Sequence, residues 1–233
     1  IVANLSGPRR ELNLNDLKLH ILRNLAHFFG QNLWFFALPL IPLAQLFALE
    51  FTSPIWVILL ASIFLGESLS LRKITVAVVG FFGILIVARP DFTAINVGVL
   101  AGALSANGFA GAALITRKLT INNSLTNILF YLTGLQIIFA LLCAGYDNEI
   151  KMVSLHTLPW ILLIGISGLT AHFCLTKSLS LAPASIVMPI DFARLPLITI
   201  IGIIFYSEAL DVYIIVGSSL ILISNYLNLQ HRR

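Results

Sequence analysis

The sequence predicts an all-α, polytopic transmembrane helix bundle of about eight spans, and three observations predict it. Hydrophobic residues make up 58% of the 233 residues and charged residues only 10%, where a soluble domain carries roughly 25%. Four stretches, 24–49, 92–116, 119–146 and 152–176, contain no Asp, Glu, Lys or Arg, and about 20 apolar residues suffice for a helix to cross the hydrocarbon. The basic residues sit in short clusters between the apolar runs, as topology signals do. A mean hydropathy of +0.97 excludes a disordered chain. The lack of alternation within the runs argues against a β-barrel.

Turn residues and charges place the spans near 19–39, 42–65, 74–88, 95–116, 125–144, 158–176, 183–206 and 212–229. Pro42 and Pro183 open their helices, where the missing N–H costs nothing. Span 74–88 is short and suits a tilted arrangement. Gly98 and Gly102, followed by Ser105, Gly108 and Gly111, give span 95–116 a face for close helix contact.

With a cytoplasmic N-terminus, Arg9, Arg10, Lys18, Arg23, Arg72, Lys73, Arg117, Lys118, Lys177, Arg232 and Arg233 lie inside. Arg89 and Lys151 lie outside, and Arg194 falls within a span. This 11:2 division is a positive-inside signal. Eight crossings bring both termini to the cytoplasmic face of an inner membrane, with acids Asp91, Asp147, Glu149, Glu208 and Asp211 in outer loops. The same distribution gives no face for nucleic acid. Cys143 and Cys174 lie in separate spans without a CxxC pair, so no metal, disulfide or other cofactor is expected.

A shift of 141 residues lays 42–67, PLAQLFALEFTSPIWVILLASIFLGE, on 183–208, PASIVMPIDFARLPLITIIGIIFYSE. Pro42 matches Pro183, Glu50 matches Asp191, Phe51 matches Phe192 and Glu67 matches Glu208. The two copies face opposite ways across the bilayer. Inverted repeats are an architecture of secondary transporters, whose halves exchange conformations around a site between them.

The strings FLGESLSLRKITVAVVGFFGILIVARP at 64–90 and LAPASIVMPIDFARLPLITIIGIIFYSEAL at 181–210 resemble the EamA type of the drug/metabolite transporter superfamily. Each carries an apolar helix, a Gly/Ser-Glu step, a short linker and a second helix. The resemblance implies ten helices in two inverted five-helix repeats. Residues 1–90 then form a partial first repeat of three helices and 91–233 a second repeat of five. Symmetry calls for two more helices before Ile1, roughly 60–70 residues at about 20 per span plus a connection. It also implies a small organic metabolite or drug-like solute, carried by alternating access.

The candidate site residues are the intramembrane polar groups, which are costly at membrane depth. Glu50 has no basic neighbour in its own span and is either a hydrogen-bonded neutral acid or a site residue. Asp191 stands three residues from Arg194 and is either its structural partner or a substrate or coupling-ion ligand; proton coupling is one option. Pro54, Pro189 and Pro196 interrupt the two spans near these acids, and broken helices at matching positions point to a midplane site. Gln31, Asn32 and Trp34, with His27 one turn before, form a polar-aromatic cluster in the first span. The 141-residue shift places His172 on Gln31.

The expected partners are the lipid bilayer and a small-molecule solute, and the sequence is compatible with a homodimer. Two alternatives stand beside transport. One is a non-transporting subunit or a shortened, inactive paralogue. The other is an intramembrane enzyme, because Gly165-Ile166-Ser167-Gly168 matches the surroundings of a protease serine. No histidine occurs in the later spans to serve that serine, so a non-enzymatic reading is preferred.

Overall fold

The computed structural model describes residues 16–41, 43–88, 96–145, 154–197, 200, 204 and 212–229. The described helices are α1 (Leu17–Ala37), α2 (Leu43–Glu50), α3 (Ser53–Leu65), α4 (Leu71–Ala88), α5 (Val97–Asn122), α6 (Leu125–Ala144), α7 (Leu158–Leu181), α8 (Ala184–Ile190) and α9 (Val212–Leu229). Of these, Gln45–Leu65 taken as one span, α5, α6 and α7 are long and apolar enough to cross a membrane by length and composition. Several predicted limits move. The short 74–88 span begins at Leu71. Helix α5 continues to Asn122 and so carries Arg117 and Lys118 on the helix itself. Helix α7 extends to Leu181 and includes Lys177. Pro42, Arg89, Asp91, Asp147, Glu149, Lys151, Glu208, Asp211 and the 205–206 end of the seventh predicted span lie outside the described residues.

Neither proline-rich span is one continuous helix. The first stops at Glu50 and restarts at Ser53, with Pro54 in its first turn. The second stops at Ile190 after the internal Pro189 and passes through a turn of 3₁₀ helix, Asp191–Ala193. The missing proline N–H removes a helical bond in each case. Under the 141-residue shift the two breaks coincide, since Glu50 ends one segment and Asp191 opens the other break.

Small residues set the helix spacing. Helix α1 packs most extensively on α5, and α4 on α9. A Cβ on Gly108 would lie 2.7 Å from the Gly30 Cα and 2.8 Å from the Ala26 carbonyl oxygen, so these backbones touch. The same Gly-rich face takes Leu40 against Gly98 and Leu49 against Gly102. Between α4 and α9, Gly83 and Gly217 approach so closely that a Cβ on either would meet the other's carbonyl at 2.8 or 2.6 Å. The pair equivalent to Gly83 and Gly217 under the shift is Ser224 and Val76, and the Ser224 hydroxyl donates to the Val76 carbonyl at 2.6 Å. The pair and its shifted counterpart are thus both in contact. Phe51 and Phe192, themselves equivalent, meet edge to face with centroids 5.9 Å apart.

The Gly-Glu step after α3 has a distinct task. Gly66 takes a left-handed φ of 65° and ends the helix, a conformation glycine adopts without steric cost. Glu67 then crosses to the other half and accepts from the Ala184 and Ser185 amides at 2.9 and 3.1 Å and from the Ser185 hydroxyl. A carboxylate there satisfies orphan N–H groups at the start of α8. By contrast, α7 turns most of its length outward, and a Cβ added at Gly165 or Gly168 would meet nothing within 4 Å. Such a face is at home in lipid, which is as apolar as a leucine-rich core.

Candidate functional site

Two polar layers lie along one face of α1. Arg23, His27 and Trp34 share that face, because steps of four and seven residues return to nearly the same angle on a helix of 3.6 residues per turn. His27 and Trp34 are two turns apart, about 10 Å along the axis.

The layer at Trp34 gathers both helix breaks. The Trp34 indole N–H donates to Glu50 Oε2 at 2.7 Å. Arg194, from the other half, donates through Nη2 to Glu50 Oε1 and lies 3.2 Å from Asp191 Oδ2. Its guanidinium also faces the Phe51 ring at 5.0 Å from the centroid and the Phe47 ring at 5.9 Å, within range of a cation–π contact. One cation therefore serves two carboxylates. Glu50 is the more enclosed, its side chain 13% exposed against 47% for Asp191. Asp191 and Arg194 open onto a cleft of about 530 Å³ between α7 and α8, bordered also by Ala171, Cys174, Ser178 and Ile186.

The second layer joins α1, α5, α6 and α7. Arg23 donates through Nε to Thr116 Oγ1 at 3.0 Å and through Nη1 to Asn24 Oδ1 at 3.1 Å. Its Nη2 lies 3.5 Å from His172 Nδ1. The His27 and His172 rings meet edge to face at 4.8 Å. Gln136 extends the network by donating to the Asn24 carbonyl at 3.1 Å. A further chain runs toward the end of α5. Asn123 donates to Asp16 at 2.7 Å and accepts from Asn127 at 2.8 Å, and His20 stacks on Tyr131 at 4.2 Å.

Of the expected residues, the structure brings Glu50, Asp191, Arg194 and Trp34 together, and it places His172 in the neighbouring layer with His27. It does not bring Gln31 or Asn32 to either layer. Both are exposed, the Asn32 amide bonds its own helix at the Phe28 carbonyl, and Asn32 borders a separate groove with Phe28, Phe36 and Cys143. The Asn32 amide is spent within its own helix, and Gln31 lies at the surface. Arg23 is a correction of a different kind. Its charge reads as part of a cytoplasmic cluster, yet the side chain is 2% exposed inside the bundle. Its position six residues into α1 was the available signal.

Comparison with known proteins adds a family. A model described as the EamA-like transporter family matches residues 1–89. The chain is 31% identical over 217 residues to a riboflavin transporter of Brucella anthropi, covering 91% of this chain and 76% of that one. It is 28% identical over 204 residues to an S-adenosylmethionine uptake transporter of Rickettsia bellii, covering 88% and 69%. A pseudopaline exporter of Pseudomonas aeruginosa is 29% identical over 192 residues, covering 82% and 67%. A solved crystal structure superposes with a TM-score of 0.74 at 16% identity, over 97% of this chain and 81% of that one, which shows a common fold.

The Arg194–Glu50 contact ties the halves together, so the two residues should be energetically coupled. Glu50→Gln and Arg194→Gln should each destabilise the protein in denaturant titrations. The double variant should lose less than the sum of the two by about 1–3 kcal/mol, the range for residues in one ion-pair network. Strict additivity would mean that the contact contributes nothing.

Proposed function

The chain belongs to the EamA-like transporter family of the drug/metabolite transporter superfamily and is a multi-pass membrane transporter of a small molecule, not an enzyme; from that premise we propose that it works by alternating access, with Arg194 as the shared cation of a two-carboxylate switch. The observation that carries this reading is Arg194 bound at once to Glu50 and Asp191, on the breaks of two equivalent helices. Residues 1–90 and 91–233 are the two inverted repeats in this proposal, and the equivalent contacts between α4 and α9 support them. Broken helices supply irregular backbone where it can face a cavity, and inverted halves rock around such a site.

The switch follows from charge. Two carboxylates and one guanidinium leave one negative charge when all are ionised. A proton or a cationic group of the solute at Asp191, the more exposed acid, removes the competitor for Arg194. The guanidinium is then free to engage Glu50 alone, which changes the contact between the halves. A ligand shifts such an equilibrium only through its different affinity for the two states, and Asp191 supplies that difference.

The solutes to test are read from the relatives. S-adenosylmethionine and riboflavin, the solutes in the relatives' names, are the first to test, with uptake and export both measured because one relative is named for uptake and another for export. The membrane is proposed to be the inner membrane, with both termini cytoplasmic. Without Arg23 the basic residues still divide 10:2 in favour of the inside. An impermeant thiol reagent on intact cells should label a cysteine placed at position 149 and leave one at 118 unlabelled. The reverse pattern would invert the topology.

Uptake into vesicles tests the switch. Asp191→Asn should leave the protein folded, because Arg194 keeps Glu50, and should lower uptake by about tenfold or more, equivalent to ~1.4 kcal/mol. Full uptake by this variant, or recovery on adding Arg194→Gln, would reduce Asp191 to a structural partner of the arginine.

A further inference from the structure

Arg23 carries a permanent positive charge in a place where no described carboxylate meets it. Its side chain is 2% exposed, and it contacts the Thr116 hydroxyl, the Asn24 side-chain amide Oδ1 and His172 Nδ1. Among the described residues no carboxylate lies within ion-pair distance of it, whereas Arg194 has two. A buried ion without a counter-charge is costly, and intramembrane arginines usually pair or line a pathway. The three contacts do not exhaust the five N–H donors of the guanidinium fork.

Two titratable side chains stand beside it. His27 and His172 are half-buried, come from α1 and α7, and meet at 4.8 Å. Their layer lies about two helical turns from Trp34 and the Glu50–Arg194 contact. One layer thus holds a cation with no described counter-charge, and the other, about two turns along α1, holds two carboxylates for one cation.

We propose that Arg23, with His27 and His172, is a subsite for one carboxylate group of the transported solute. The inference rests on the transporter reading and names a chemical feature of its substrate. A single guanidinium matches a single negative charge, so the ligand group is a monoanion; a phosphate dianion would be left half neutralised. Carboxylates suit the planar fork of arginine, which binds them through two parallel N–H bonds. If Arg23 served only to fasten helices, neutral hydrogen-bonding side chains would do the same at lower cost.

The test is thermal unfolding of the full chain in detergent with 3-phenylpropionate, its uncharged analogue 3-phenylpropionamide, and inorganic phosphate as probes. A ligand that binds the folded state raises Tm. The carboxylate should raise Tm, and the amide and phosphate should raise it less. Arg23→Gln should abolish the difference between carboxylate and amide. His172→Asn, at a half-buried position, keeps the comparison available if Arg23→Gln does not fold, and should weaken carboxylate binding by about tenfold. Equal responses to carboxylate and amide, no response to the carboxylate, or a wild-type response in both variants would overturn the subsite. A larger response to phosphate would overturn the monoanion assignment. Wild-type uptake of a solute by the His172→Asn protein would remove the subsite and leave the transporter reading standing.

Discussion

One guanidinium shared between two carboxylates organises the centre of this protein. The 141-residue shift pairs Glu50 with Asp191 but places Arg194 on Ser53. The two paired acids meet at one guanidinium, and the residue that joins them is the one the shift does not repeat. Without Arg194, two carboxylates would face each other in a medium that supports neither. The aromatic rings of Phe47 and Phe51 share the cost of holding the cation.

The rest of the fold makes that meeting possible. The helices must break where the acids stand, and Pro54 and Pro189 ensure it. The halves must come close, and glycines at 30 and 108, and at 83 and 217, allow backbone contact that a single methyl group would block. Overpacking such a contact costs about 1–3 kcal/mol. Glu67 adds a second tie by capping α8 from the opposite half. The Glu67 and Arg194 contacts both join segments before residue 90 to segments after it, so in the proposed alternating-access motion the halves must work against or through them.

Much of this was legible in the sequence because it depends on order along the chain. Helix positions follow from apolar runs and charges, and the equivalence of Glu50 with Asp191 follows from spacing and polarity. What was not legible depends on rotation about each helix axis. In a soluble helix the apolar stripe fixes that rotation; in a membrane, lipid and protein faces are equally apolar. Gln31, Asn32 and Trp34 are consecutive or nearly so, yet only Trp34 turns to the acids. Arg23 gave the opposite error, since a basic residue near a helix end has the same spelling whether it marks a cytoplasmic loop or sits inside the bundle. Glu67 read as a repeat marker, and its capping role appears only when the second half is in place.

In the proposed switch, Arg194 acts by its position between the two acids, not by the segment it belongs to. The direct measurement is a transplant: uptake by the Arg194→Ser protein compared with uptake by the protein carrying Arg194→Ser together with Ser53→Arg. The transplant returns one cation to the two acids from the opposite repeat, at the residue the shift makes equivalent. If the shared cation is what matters, the double variant recovers a substantial part of the uptake that the single variant loses. A double variant that folds in the membrane as well as the single one and remains equally inactive would contradict the two-fold relation of the site.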